Sequence, residues 1–281
     1  MERPKVAYAS VDATSACPLR CLHCYYYRIE PAGADLEEEA FLESLASWKT
    51  STGAECMLWL GGEPFLRPRL VEEGARLFRR NAAFTSGLVP IPDDFSGGLA
   101  VSLEGPPRAN DTLRGPDAFR KIMANLDGGK GQIFHCTLSA ANWRAAGRLT
   151  ELLHRADAAG LVFGLYSPRI GEEQGFVLSA ADRKAALDSL RRLRGEYGGL
   201  VLNTPASLDL MEAPATTSER CLYRRGEAVA LDHRLAVKHP CSYGAGVDCE
   251  RCGCVALYLR VAAEGGDLAS RSVLEVLFRK R

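Results

Sequence analysis

Residues 6–24 read VAYASVDATSACPLRCLHC. The apolar run from Val6 to Val11 has the length and composition of a buried strand. Cys17, Cys21 and Cys24 follow it at C-x3-C-x2-C spacing. Three thiols on one short loop directly after a strand point to metal chemistry at that strand's carboxyl end, the face where parallel α/β barrels build their active sites. Two ligand chemistries suit them. Three thiolates can hold three irons of a [4Fe-4S] cluster and leave one iron open, as catalytic metal sites leave a coordination position open. Alternatively, they are three of the four ligands of a structural zinc, although His23 lies too near Cys24 in sequence to be a comfortable fourth.

Downstream, strands and helices alternate. Apolar runs continue with CMLWL from Cys56, AAFT from Ala82, LAVSL from Leu99, QIFHCTL from Gln132 and LVFGLY from Leu161. Between or after them lie stretches with helical spacing: Asp35–Trp48, Leu70–Arg80, Pro116–Leu126, Asn142–Ala156 and Ser179–Tyr197. Ser179, three residues before Asp182, fits an N-cap. About six strand–helix units predict the α/β class, with a parallel sheet and helices outside. Six fall short of a complete eight-stranded barrel, so the expected architecture is a partial (β/α)6 TIM-type barrel.

The texture changes after Gly199. Asn203–Glu219, rich in Pro, Thr and Ser, reads as a loop or linker, and Glu227–Cys241 as two short strands around Asp232–His233. An amphipathic helix, SRSVLEVLFRKR (Ser270–Arg281), closes the chain. The division expected is a barrel over 1–205 and a cysteine-rich subdomain over 206–281. The length of 281 residues suits one large domain plus an appendage, at roughly 150 residues per domain.

Composition narrows the setting. Apolar residues make up 47% and charged residues 25%, and 35 basic side chains balance 35 acidic ones. Globular structure follows, and there is no electrostatic case for nucleic acid or an anionic membrane as partner. No apolar core of signal-peptide length opens the chain, and no run reaches the roughly 18 apolar residues of a membrane helix, so a cytoplasmic setting is expected. Ten cysteines there are poorly explained by disulfides. Cys56 and Cys136 lie in apolar strands and read as core thiols. His135 faces opposite to Cys136, as a substrate contact or a packed histidine. The other five, Cys221, Cys241, Cys249, Cys252 and Cys254, form C-x19-C-x7-C-x2-C-x-C, a metal-site pattern for an iron–sulfur cluster or for a zinc that staples a tail with little core of its own.

The first cysteine motif, taken with other segments in order, resembles the radical S-adenosylmethionine (SAM) enzymes. GGEP (Gly61–Pro64) follows the second strand, where that family binds the SAM methionine. The third strand ends Thr85-Ser86-Gly87. Val101–Phe119, VSLEGPPRANDTLRGPDAF, is similar to the stretch that usually reads SLDG, then HD, then RG, and Asn142 follows the fifth strand. Glu104, Asn110 and Ser86 stand where Asp, His and Asn are usual, and His23 holds a position often aromatic and near adenine.

The resemblance implies that Cys17, Cys21 and Cys24 ligate a [4Fe-4S] cluster whose open iron chelates SAM. Reductive cleavage then gives a 5′-deoxyadenosyl radical that abstracts hydrogen from substrate. It implies that Gly61 and Gly62 admit SAM closely, that Glu63 accepts from its ammonium, and that Ser102 and Arg114 contact its carboxylate or ribose. His23 and Asn142 would lie near the cofactor, with Tyr25, Tyr26 and Tyr27 shielding the cluster or lining the pocket. Read without it, GGEP is an ordinary strand-to-helix turn, Ser102 a turn residue and Arg114 a solvated charge. The tail resembles the twitch or SPASM type of auxiliary-cluster subdomain, with Cys221, Cys241, Cys249 and Cys252 holding a second [4Fe-4S] cluster and Cys254 able to replace one of them. Implied partners are a peptide or small-molecule substrate, modified oxidatively by dehydrogenation or bond formation, and an electron donor such as flavodoxin or ferredoxin. The rival readings are a radical SAM enzyme with a structural zinc tail, and a non-catalytic zinc-binding module.

Overall fold

The computed structural model describes residues 6–29 and 33–280. Met1–Lys5 of the amino-terminal reading and Arg281 of the closing helix lie outside the described residues. Six strands pair in parallel in the order in which they occur: β1 (Tyr8–Asp12), β2 (Cys56–Leu60), β3 (Arg80–Thr85), β4 (Gly98–Ser102), β5 (Ile133–Leu138) and β6 (Gly160–Leu165). Register is tight, with Tyr8 opposite Cys56, Cys56 opposite Arg80 and Ile133 opposite Gly160. All six residues of β6 are buried, as expected of a parallel strand covered on both faces.

The expected helices form around this sheet: α1 (Glu38–Thr52), α2 (Pro68–Ala75), α3 (Pro107–Arg114), α4 (Ala118–Asn125), α5 (Ala146–Arg155) and α6 (Ala180–Tyr197). Only α3 has no counterpart among the helical stretches read from sequence. Ser179 caps α6, its hydroxyl accepting from the Asp182 amide at 3.0 Å. One core packs α1 and α2 on β1–β3 through Phe41, Leu45, Trp59 and Leu70, and a second packs α4–α6 on β4–β6 through Ile122, Leu149, Phe163 and Leu190.

Two expectations for the tail need correction. Asn203–Glu219 is not a loop: it holds α7 (Pro205–Glu212) and α8 (Pro214–Ser218). Each starts with proline at its first turn, where the missing N–H costs nothing, and Thr204 caps α7 by accepting from the Ser207 amide. The closing helix α10 (Leu268–Leu277) stops short of the basic end, where β9 (Arg279–Lys280) pairs antiparallel with Asn81 and Arg80. The hairpin β7 (Ala228–Leu231) and β8 (Val237–Lys238) turns at Asp232, whose Oδ1 accepts from the amides of Arg234 and Ala236, each at 2.8 Å. A further helix, α9 (Val255–Glu264), sits between the cysteines and α10.

The tail spans the opening of the partial barrel. β7 adds to β1 in parallel on one side. On the other, the Leu165 amide at the end of β6 donates to Gly253 O at 2.9 Å, and a Cβ at Gly253 would stand 1.8 Å from Leu165 O. Residues 206–281 thus build onto the sheet of the barrel itself. No helix among the described residues is long and apolar enough to cross a membrane.

Candidate active site

The loop after β1 brings Cys17, Cys21 and Cys24 to one cavity at the carboxyl ends of the barrel strands. The same cavity is lined by His23, Gly61 and Gly62 from the loops after β1 and β2, by Ser102 at the end of β4 and by Arg114 at the end of α3. The loop is held from several sides. Asp35 accepts from the Thr14 hydroxyl and, at 2.8 Å, from the Ser15 amide. The Leu22 amide donates to Leu113 O at 2.9 Å.

The two glycines have a reason in this packing. The Gly62 and Glu63 amides donate to Thr14 O and Ala16 O at 2.9 and 2.8 Å. A Cβ on Gly62 would lie 2.0 Å from Ala16 O, and one on Gly61, whose φ is +118°, would lie 2.6 Å from Thr14 O. The cysteine loop and the β2 loop therefore fit only backbone to backbone. We expect Gly62→Ala, which alters no ligand, to displace the loop and cost about 1–3 kcal/mol by overpacking. Melting temperature and iron bound on reconstitution should both fall; wild-type iron content would show that the loop can give way.

Glu63 and Asn142 are turned into the wall and do not line the cavity. The Glu63 carboxylate is fully buried and accepts from Thr85 Oγ1 at 2.8 Å, the Ser86 amide at 2.6 Å and the Phe65 amide at 3.3 Å, locking the β2 turn to the end of β3. Asn142 Nδ2 donates to Glu104 O and Thr137 O at 2.8 and 3.0 Å, while its Oδ1 accepts from the Ser139 amide and hydroxyl.

The cavity's electrostatic centre is Glu104, which is 2% exposed. Its Oε1 faces His23 Nε2 and Arg114 Nη1, both at 3.3 Å, and its Oε2 accepts from the Thr137 amide at 2.8 Å. Burial alone would raise this carboxyl; His23, Arg114 and His135 outweigh it and hold it at about 2. Asn110 Oδ1 accepts from the Glu104 backbone amide at 2.9 Å, fixing the turn after β4. His135 is on the barrel's inner face and lines the cavity, its ring 5.0 Å from that of Phe84. Burial, with Arg114 and His23, lowers it to about 4 against the pull of Glu104, so it is neutral at pH 7.

Two buried nitrogens here have no partner, His23 Nδ1 and Arg114 Nε. Buried polar atoms left unmade are costly and call for a ligand. Burial also pushes the Cys21 thiol up to about 11, against Arg114, so a metal bound by it would displace a proton.

With this geometry the chain can be set beside known proteins. Residues 11–139 match the Radical SAM superfamily. The match takes in the cysteine loop and β2 to β5. Native anSMEcpe with bound AdoMet (S-adenosylmethionine) superposes with a TM-score of 0.67 at 17% identity, over 89% of this chain and 80% of that one. Streptococcus suis SuiB bound to precursor peptide SuiA gives 0.64 at 12% identity, over 91% and 65%. Native anSMEcpe with AdoMet and a Cp18Cys peptide gives 0.64 at 16%, over 85% and 75%. At such identities the likeness speaks for the fold. No curated protein matches the sequence.

The tail cysteines gather at a second cavity of about 740 Å³, lined by Cys221, Cys241, Cys249, Cys252 and Cys254 and bordered by Cys56. Cys56 and Cys136 are both buried in their strands. Among the described residues no three His, Cys, Asp or Glu side chains are grouped to hold a single metal ion. Tyr25 lines the first cavity; Tyr26 is buried, its hydroxyl 3.2 Å from His233 Nδ1, and the Tyr27 hydroxyl donates to Ser15 O at 3.0 Å. Sequence spacing did not single out Thr137 or Tyr243 for the site, because chain topology rather than a local motif brings them there.

Proposed function

We propose that Cys17, Cys21 and Cys24 hold a [4Fe-4S] cluster and that SAM sits on its open iron. The carrying observation is the convergence, in one cavity, of three thiols with two unpartnered buried nitrogens, His23 Nδ1 and Arg114 Nε. Held there by Cys17, Cys21 and Cys24, such a cluster with SAM would supply reductive radical chemistry for hydrogen abstraction from substrate. Arg114 Nε would donate to the SAM carboxylate, and Gly61, Gly62 and Ser102 would shape the methionine and ribose side. Glu104 fixes the rings and planes of His23 and Arg114. His135 and Tyr25 line the substrate side and exclude water, which protects reactive intermediates.

The substrate we favour is a peptide, since anSMEcpe and SuiB are both described with peptides bound. The reaction we favour is oxidative, with a second [4Fe-4S] cluster in the tail taking the substrate electron, a flavodoxin or ferredoxin as donor, and the cytoplasm as the setting. The test is anaerobic reconstitution with iron and sulfide, then dithionite and SAM. Brown, air-sensitive protein that forms 5′-deoxyadenosine is expected; colourless zinc protein that leaves SAM intact would overturn the reading.

A further inference from the structure

The two cysteine cavities share a wall. Tyr243 and Cys254 line both, and Cys254 is the one tail cysteine that borders the SAM cavity. On the far side Tyr25, directly after Cys24, packs its ring 5.1 Å from that of Tyr243. We propose that Cys254, not Cys249, completes the auxiliary ligand set with Cys221, Cys241 and Cys252, so that the tail cluster forms part of the substrate chamber wall. This rests on the reading that the tail holds an iron–sulfur cluster.

The backbone sets Cys252 and Cys254 together. Gly253 between them is pinned to the end of β6: its carbonyl accepts from Leu165 and its amide donates to Ser167 Oγ at 2.9 Å. Cys252 O accepts from the Tyr258 hydroxyl and from Arg183 Nη2. The Cys254 amide points at Cys252 Sγ, 3.5 Å away, the kind of N–H contact that supports a ligating thiolate. Cys221, Cys252 and Cys254 also pack against the main core.

Cys249 is held differently. It opens a short turn, 249–251, whose amides at Glu250 and Arg251 donate to Asp248 Oδ1. Arg251 ties that turn to Asp248 Oδ2 at 2.7 Å and to Glu173 at 3.2 Å, away from the core.

The experiment uses the full chain with Cys17, Cys21 and Cys24 changed to alanine, so that only the tail can bind iron. Reconstituted with iron and sulfide, this parent and its Cys249→Ala derivative should each retain about four irons per chain and give the same EPR spectrum when reduced. Cys254→Ala should lose them. Because Cys254→Ala can also fail by misfolding, the parent is alkylated with iodoacetamide and mapped by mass. Of the five tail thiols, Cys249 alone should react in the loaded protein, and all five after iron removal. Loss of iron in Cys249→Ala, or a shielded Cys249 with a reactive Cys254, overturns the ligand assignment alone. A parent that binds no iron, or only zinc, overturns the auxiliary-cluster reading and this assignment with it.

Discussion

Changing Cys17, Cys21 and Cys24 together to alanine is expected to bring 5′-deoxyadenosine formation down to background while leaving the iron-free fold intact. The two halves of that expectation have separate causes. The three thiols are partly exposed and face the cavity, so truncating them removes little packing from the core. The loop keeps its anchors: Asp35 on Thr14 and Ser15, the Gly62 and Glu63 amides on Thr14 O and Ala16 O, and Leu22 on Leu113 O. Changes away from packed or paired features usually shift stability by within about 0.5 kcal/mol. The melting temperature of the iron-free variant should therefore stay close to that of iron-free wild type, with SAM cleavage gone. A variant that still cleaves SAM would refute the assignment of these thiols. One that unfolds would show that they carry structure as well.

What the sequence made legible follows from burial. Strands covered on both faces favour apolar runs, and Cys56–Leu60 and Gly160–Leu165 have them throughout, while β3 opens on Arg80-Asn81, which carries no such signal. The cysteine loops are legible because thiol chemistry needs thiols in close order. Less visible was the direction of a polar side chain at a strand end. Glu63 and Asn142 stand beside the cysteine-lined cavity, yet their side chains satisfy Ser86, Thr85, Ser139 and Glu104 within the wall. Loop dihedrals decide that, and no periodicity encodes them. α7 and α8 were hidden because proline and threonine, read as linker residues, here serve as first-turn residues and caps. The Glu104 cluster joins residues 23, 104, 114 and 137, which only the barrel's winding brings together.

That cluster gives the largest stability effect we expect. Glu104→Ala leaves His23 Nε2, Arg114 Nη1 and the Thr137 amide facing a void, all three having had the carboxylate as partner. His23 and Arg114 side chains are only 9% and 6% exposed, so water cannot readily replace it. Removing one partner of a buried ion pair costs about 3–5 kcal/mol, because the remaining charge is stranded. At about 2–4 °C per kcal/mol for a chain of this size, the melting temperature should fall by about 10 °C. Glu104→Gln keeps the shape and one acceptor and should lose less. The pH dependence follows from the lowered carboxyl, about 2 in the fold against 4.5 for an unperturbed glutamate. A depressed carboxyl stabilises the fold fully above its unfolded pKa, and that contribution is lost as the pH falls through the folded one. The gap between wild type and Glu104→Ala should thus be widest above pH 4.5 and close progressively toward pH 2. Denaturant titrations of the iron-free proteins at several pH values measure it. A gap that does not narrow on acidification would mean that the Glu104 charge contributes nothing, and that His23 and Arg114 are held by packing alone.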